Sequence, residues 1–142
     1  MEVDLIIKNT KCVGLNEFKE FKTPLSKSII INNGEIIDIN DNPSSAYISK
    51  KTIDGNNTIT FPGFINSHTH VSPTPILKGF TEDKIDGFYG LALPMEKQLN
   101  EKNTYLTAKL GIAEAVKGGY TTINDIWHYP WSIAQAAKDI GI

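Results

Sequence analysis

The chain has 142 residues, 40% hydrophobic and 21% charged, which suffices for one ordinary domain or two small ones and excludes wholesale disorder. Fourteen basic residues, all Lys, face sixteen acidic ones for a formal charge of −2, so there is no electrostatic footprint for nucleic acid or an anionic membrane and no bidentate guanidinium clamp. The single cysteine, Cys12, excludes an intrachain disulfide framework and a Cys-rich zinc site and fits a reducing, cytoplasmic setting; no run approaches the roughly 18 apolar residues of a membrane span, and Met1-Glu2-Val3-Asp4 is acidic where a secretory signal is basic.

The first sixty residues read as short strands. Val3 to Lys8 and Ser28 to Asn32 are apolar-rich runs, and the second leads through Asn33-Gly34 into Glu35 to Ile39. An Asn-Gly pair between two β-branched runs signals a hairpin, because a type I′ turn needs positive φ at both central residues. Asp41-Asn42-Pro43-Ser44-Ser45 is a loop by composition, and Asp54-Gly55 marks a turn before Thr58-Ile59-Thr60. Such a β layer is too thin to be a stable domain unaided.

From Phe61 the pattern changes. Phe61-Pro62-Gly63-Phe64-Ile65-Asn66 leads into a strand ending at Ser67-His68-Thr69-His70. Val71 to Leu93 is rich in Pro and Gly and reads as a long loop with short helical pieces, a length that is usually functional. A helix is expected over Glu101 to Lys117, with Asn100 as N-cap, Leu106, Leu110, Ala113 and Val116 as its apolar face, and Gly118-Gly119 as its stop. Tyr120 to Ile126 reads as a strand. A second helix starts at Pro130, buries Ile133, Ala136, Ala137 and Ile140, and ends at Gly141. Strand, long loop, helix, strand, helix is the order of βα units on a parallel sheet, so the fold class is α/β.

His68 and His70 stand two apart, a spacing that puts both imidazoles, with Asn66, on one face of a strand and lets them converge on one cation. The competing reading is that two of only three histidines fall close together by chance, or stand as satisfied core polar groups. Their place at the C-terminal end of a strand in a βα unit, where such folds put their sites, favours the ligand reading. Asp125 is a candidate to orient a ligand or neighbouring backbone, or to cap a loop. Trp127, Tyr129 and Trp131 either line an aromatic wall or pack, and Phe88 and Tyr89 lie in the long loop where they could fold over a pocket. Phosphate-loop, dinucleotide and nucleophile-elbow motifs are absent, and Cys12 has no neighbouring histidine in sequence.

Phe61-Pro62-Gly63-Phe64-Ile65-Asn66-Ser67-His68-Thr69-His70 resembles the first barrel strand of the amidohydrolase superfamily of metal-dependent hydrolases. Asn66 resembles the deaminase and chlorohydrolase branch, whereas the hydantoinase-like branch more often has Asp there. Leu77-Lys78-Gly79-Phe80 resembles that family's L-R-G segment, Leu93-Pro94-Met95-Glu96 its L-P-x-E, and Gly119 to Asp125 its G-x-T-T-x-x-D second strand. Lys78 in place of Arg, and a loop two residues shorter before Pro94, depart from the family pattern.

The resemblance implies a β-sandwich portion over residues 1–60, followed over 61–142 by the first two βα units of a TIM-type (β/α)8 barrel, truncated before the third strand. It implies that His68 and His70 are ligands of a catalytic divalent metal, zinc by default. In the branch that deaminates thioether-bearing adenosines such as S-adenosylhomocysteine and methylthioadenosine, the Glu of L-P-x-E reaches the ribose hydroxyls. Glu96 is therefore a candidate substrate contact, against the plainer reading of a solvated carboxylate at a helix start. His128, just past the second strand, is a second candidate, against a solvated loop histidine. The implied reaction is hydrolytic deamination or dechlorination of a small N-heterocycle by metal-activated water. The further metal ligands and the acid/base residues belong to later strands, so no catalytic residue is expected in this segment, and the chain alone is expected to be inactive. A homo-oligomer is allowed for the full-length form. The rival expectations are a non-catalytic remnant acting as a structural or interaction module, and a metal-binding module.

Overall fold

The structure, a computed structural model, describes residues 1–14, 25–41, 46–80 and 86–142. Of the loop expected over Asp41 to Ser45, residues 42–45 lie outside the described residues, as do residues 81–85 of the long loop expected after Val71. The chain divides into two compact units, Met1–Pro62 and Gly63–Ile142.

The first unit is a five-stranded sheet of β1 (Glu2–Cys12), β2 (Leu25–Asn32), β3 (Glu35–Asn40), β4 (Ile48–Asp54) and β5 (Ile59–Thr60). Its order is β3-β2-β1-β4, with β5 joining the far end of β1. The β2–β3 hairpin turns at Asn33 and Gly34 with φ of 52° and 79°, the two positive values that the Asn-Gly pair predicts. β1 and β2 are antiparallel, whereas β1 and β4 are parallel. β4 was not read from the sequence. It is an edge strand with Lys50 and Lys51 at its middle, charges that protect an edge from further pairing and that hide the alternation a strand is recognised by. Val3, Ile6 and Ile30 form the small core, with Tyr47 against them. Thr10 is fully buried and shares hydrogen bonds with the hydroxyls of Thr58 (3.0 Å) and Thr60 (2.7 Å), which pins β5 to β1. Among the described residues this unit is one sheet, and they include no second layer facing it.

In the second unit β6 (Phe64–Thr69) pairs in parallel with β7 (Tyr120–Asp125). Between them run α1 (Thr74–Leu77), a π-helical turn (Gly87–Ala92), α2 (Leu93–Glu96) and α3 (Glu101–Lys117), and α4 (Pro130–Ile140) follows β7. The crossover connection is what allows two strands to run parallel. Asn100 caps α3 by accepting from Asn103 N–H at 3.0 Å, and Gly119 (φ 86°) and Gly141 (φ 92°) turn the chain out of the two long helices. The core is Val71, Ala108, Ile112, Ile133 and Ala136, with Ala137, Ile140 and Trp127 packed against it.

The expected apolar face of α3 is corrected. Thr104, Ala108, Gly111 and Ile112 are buried, whereas Leu106, Leu110 and Val116 are 54%, 54% and 45% exposed and Ala113 is half-buried. The helix packs so closely that small side chains must face inward: a Cβ at Gly111 would lie 2.1 Å from the Val71 carbonyl oxygen. Hydrophobicity counts cannot see a face chosen for lack of bulk.

Candidate functional site

β6 ends at Thr69, one residue earlier than expected, and His70 is the first residue of the following turn. The two imidazoles nonetheless meet on one side of the chain, with His68 Nε2 and His70 Nε2 3.2 Å apart and the rings at 80°. Two nitrogens each about 2.0–2.1 Å from one tetrahedral ion stand about 3.3 Å apart, so the pair fits two corners of a zinc coordination sphere. Among the described residues no group of three or more His, Cys, Asp or Glu side chains gathers as a metal site, so the pair supplies half of a tetrahedron.

The turn carrying His70 is tied down on several sides. Its carbonyl accepts from the Thr74 hydroxyl at 2.7 Å, and Val71 N–H donates to Asp125 Oδ2 at 2.7 Å. Burial raises the Asp125 carboxyl above the usual carboxylate range, opposed by the Val71 N–H and by His70. The Trp127 ring stands 4.3 Å from the His70 ring and also packs on the core. Asn66 Oδ1 accepts the His68 N–H at 3.3 Å. His68 is exposed and His70 partly so, so solvent reaches the pair.

Glu96 and His128 come together. Both line an open cleft of ≈ 370 Å³ with Leu93, Lys97, Leu99 and Tyr129. Glu96 is only 6% exposed and its Oε2 has no hydrogen-bond partner, so the reading of a solvated carboxylate is overturned: the short helix α2 turns this carboxylate inward. Burial pushes its pKa up, and nearby His128 opposes the shift. His128 is exposed, and its ring stands 5.4 Å from that of Trp127. Ring contacts therefore run from His68 through His70 and Trp127 to His128, linking the histidine pair to the Glu96 cleft across the C-terminal ends of β6 and β7.

The other candidates separate. Trp131 is 87% exposed, Tyr129 donates its hydroxyl to Leu99 O at 3.2 Å, and neither joins Trp127 in one wall. Phe88 and Tyr89 stack edge to face at 5.1 Å and are exposed. Burial pushes the Cys12 thiol up, against the pull of Lys27, which makes it a poor nucleophile. Of the roles open to Asp125, the structure shows the one on neighbouring backbone; its partner, the Val71 N–H 54 residues away, is one that no local pattern signals.

A family model described as "Amidohydrolase family" matches residues 59–142. The chain is 33% identical over 140 residues to a 5′-deoxyadenosine deaminase of Methanobrevibacter smithii, covering 97% of this chain and 31% of that protein. It is 32% identical over 149 residues to a 5-methylthioadenosine/S-adenosylhomocysteine deaminase of Carboxydothermus hydrogenoformans, covering 99% and 32%. A solved adenosine deaminase from Xanthomonas campestris with bound zinc superposes with a TM-score of 0.85 at 22% identity, over 99% of this chain and 33% of that one. The chain thus spans about a third of the length of the relatives it matches, and the mixed α/β fold resembles theirs.

Proposed function

The chain belongs to the amidohydrolase family, and from that premise we propose that it supplies part of the active site of an enzyme that hydrolytically deaminates an adenosine-type nucleoside. The single observation that carries this reading is the 3.2 Å approach of His68 Nε2 to His70 Nε2 at the C-terminal end of a parallel strand. In this reading β6 and β7 with their helices are the first two βα units of a (β/α)8 barrel, and Met1–Pro62 is a portion of a β-sandwich.

His68 and His70 would hold a divalent ion, most simply zinc. A metal of this kind supplies Lewis acidity that brings the pKa of water from about 15.7 towards 7. The chain's own residues then bind and orient. Glu96 offers two acceptor oxygens to the vicinal hydroxyls of a ribose, and His128 flanks the same cleft. Leu93 and Leu99 give the cleft an apolar lining against which the sugar packs. The net reaction replaces an exocyclic amino group on the ring by oxygen and releases ammonia. The remaining ligands and the acid/base groups lie outside this third of the fold, so activity belongs to the complete barrel. A reducing cytoplasm suits the single cysteine, and among the described residues no helix is long and apolar enough to cross a membrane.

A second reading, a non-catalytic structural or metal-binding module, draws on the lack of a third ligand among the described residues. One experiment separates them. The 142-residue chain and a complete barrel containing it are assayed for ammonia release from 5′-deoxyadenosine, 5-methylthioadenosine, S-adenosylhomocysteine and guanine. Activity on the adenosines in the complete barrel only, lost in a His68→Ala/His70→Ala double variant, supports the enzyme reading. Turnover by the 142-residue chain alone refutes the division of the site. An inactive complete barrel with undiminished zinc in the double variant refutes the metal assignment.

A further inference from the structure

The two ring nitrogens of His70 have different surroundings. Nε2 faces His68 across 3.2 Å, on the side where a shared ion would sit. Nδ1 is buried and has no hydrogen-bond partner in the protein. A neutral imidazole carries one proton. If Nε2 is to offer its lone pair to a metal, that proton is on Nδ1, and a buried Nδ1–H needs an acceptor.

Asp125 has the matching vacancy. Its Oδ2 accepts from the N–H of Val71, the residue after His70, at 2.7 Å. Its Oδ1 is buried and likewise unpartnered. The carboxylate lies within electrostatic reach of His70. A third orphan, Trp127 Nε1, belongs to the ring 4.3 Å from His70. Two donors and one acceptor left unpaired in three neighbouring residues are what a direct bond, or one buried water with three partners, would satisfy.

We infer that Asp125 is the positioning residue of the histidine pair: its Oδ1 takes the Nδ1–H of His70, directly or through one buried water, while its Oδ2 holds the backbone of Val71. One carboxylate thereby sets both the tautomer of the ring and the place of the turn that carries it. Asp125 touches neither substrate nor metal and acts through His70. The inference rests on the reading of His68 and His70 as ligands, yet its first test needs no metal.

The test uses the metal-free 142-residue chain and its Asp125→Asn variant, with the tautomer of His70 read from nitrogen-proton correlation spectra of the imidazole. Wild type is expected to carry the proton on Nδ1. In the variant the amide oxygen must keep facing the Val71 N–H, so the amide NH2 faces His70 Nδ1 and drives the proton to Nε2. A cobalt(II) titration of a complete barrel with and without the same substitution should then show about a 10–100-fold loss of affinity in the variant, with the circular-dichroism spectrum unchanged. A wild-type proton on Nε2 overturns the proposal, whether or not the variant folds, and so does the same tautomer in both proteins. A tautomer switch with no cobalt binding in either protein upholds the role of Asp125 and removes the metal reading instead.

Discussion

Gly111→Ala places a methyl group where α3 meets the backbone that follows His70. The added carbon would lie 2.1 Å from Val71 O, 2.9 Å from its carbonyl carbon and 3.1 Å from its Cα. A comfortable carbon–oxygen contact is about 3.3 Å or more, so the helix and the turn must part by about 1 Å. The obstacle is backbone, and it is fixed by Asp125 on Val71 N–H and by Thr74 on the His70 carbonyl. Overpacking of this kind costs about 1–3 kcal/mol, and the better helix propensity of Ala returns about 0.8–1.0 kcal/mol. With a rigid obstacle the cost falls at the upper end, and the expected net loss is about 1–2 kcal/mol. Urea unfolding followed by tryptophan fluorescence suits the measurement, because Trp127 and Trp131 both lie in the second unit. At a slope of about 1–3 kcal/mol per molar urea, the midpoint should fall by roughly 0.3–2 M with the slope unchanged. A midpoint equal to or above that of wild type would refute the close approach of α3 to Val71.

Two further outcomes follow from the same packing and from the buried carboxylate. Ile112→Ala, at a fully buried position, should cost about 2–5 kcal/mol, whereas Leu110→Ala, 54% exposed, should cost about 1 kcal/mol or less; equal losses in urea titrations would restore the helix face expected from hydrophobicity alone. Glu96→Gln should stabilise the protein at neutral pH by on the order of 1 kcal/mol, since it removes an unpaired buried charge. The sign follows from the raised carboxyl: folding holds a proton that the unfolded chain releases near the ordinary value of 4.5, so the contribution of Glu96 to stability is greatest below that pH and is lost as pH rises through the folded-state value. The variant should lack this loss. A wild type more stable than the variant at pH 7, by thermal unfolding, would mean that Glu96 has a partner.

Much of the fold was legible because it is written in short-range rules. Asn33-Gly34 can make the tight turn whatever surrounds it, since the turn asks only for residues that accept positive φ. Asn100, Gly119 and Gly141 bound their helices by bonds and dihedrals within a few residues. The two-residue period of a strand was enough to put His68 and His70 on one side, and Pro130 and the spacing of Ile133 and Ala136 were enough for α4. β4 was not legible, because its pairing with β1 joins segments more than 40 residues apart and its own residues are largely polar.

The sequence by itself therefore determined most of the element types outside β4 and the π-helical turn, the histidine pair and the family, each of which depends on backbone periodicity or on a contiguous motif. Tertiary structure alone decided that α3 turns Ala108 and Gly111 inward rather than its leucines, that Glu96 is buried, and that Asp125 reaches back to Val71. Burial and long-range hydrogen bonds are properties of a pair of surfaces, and a residue's own chemistry does not say which surface it will meet.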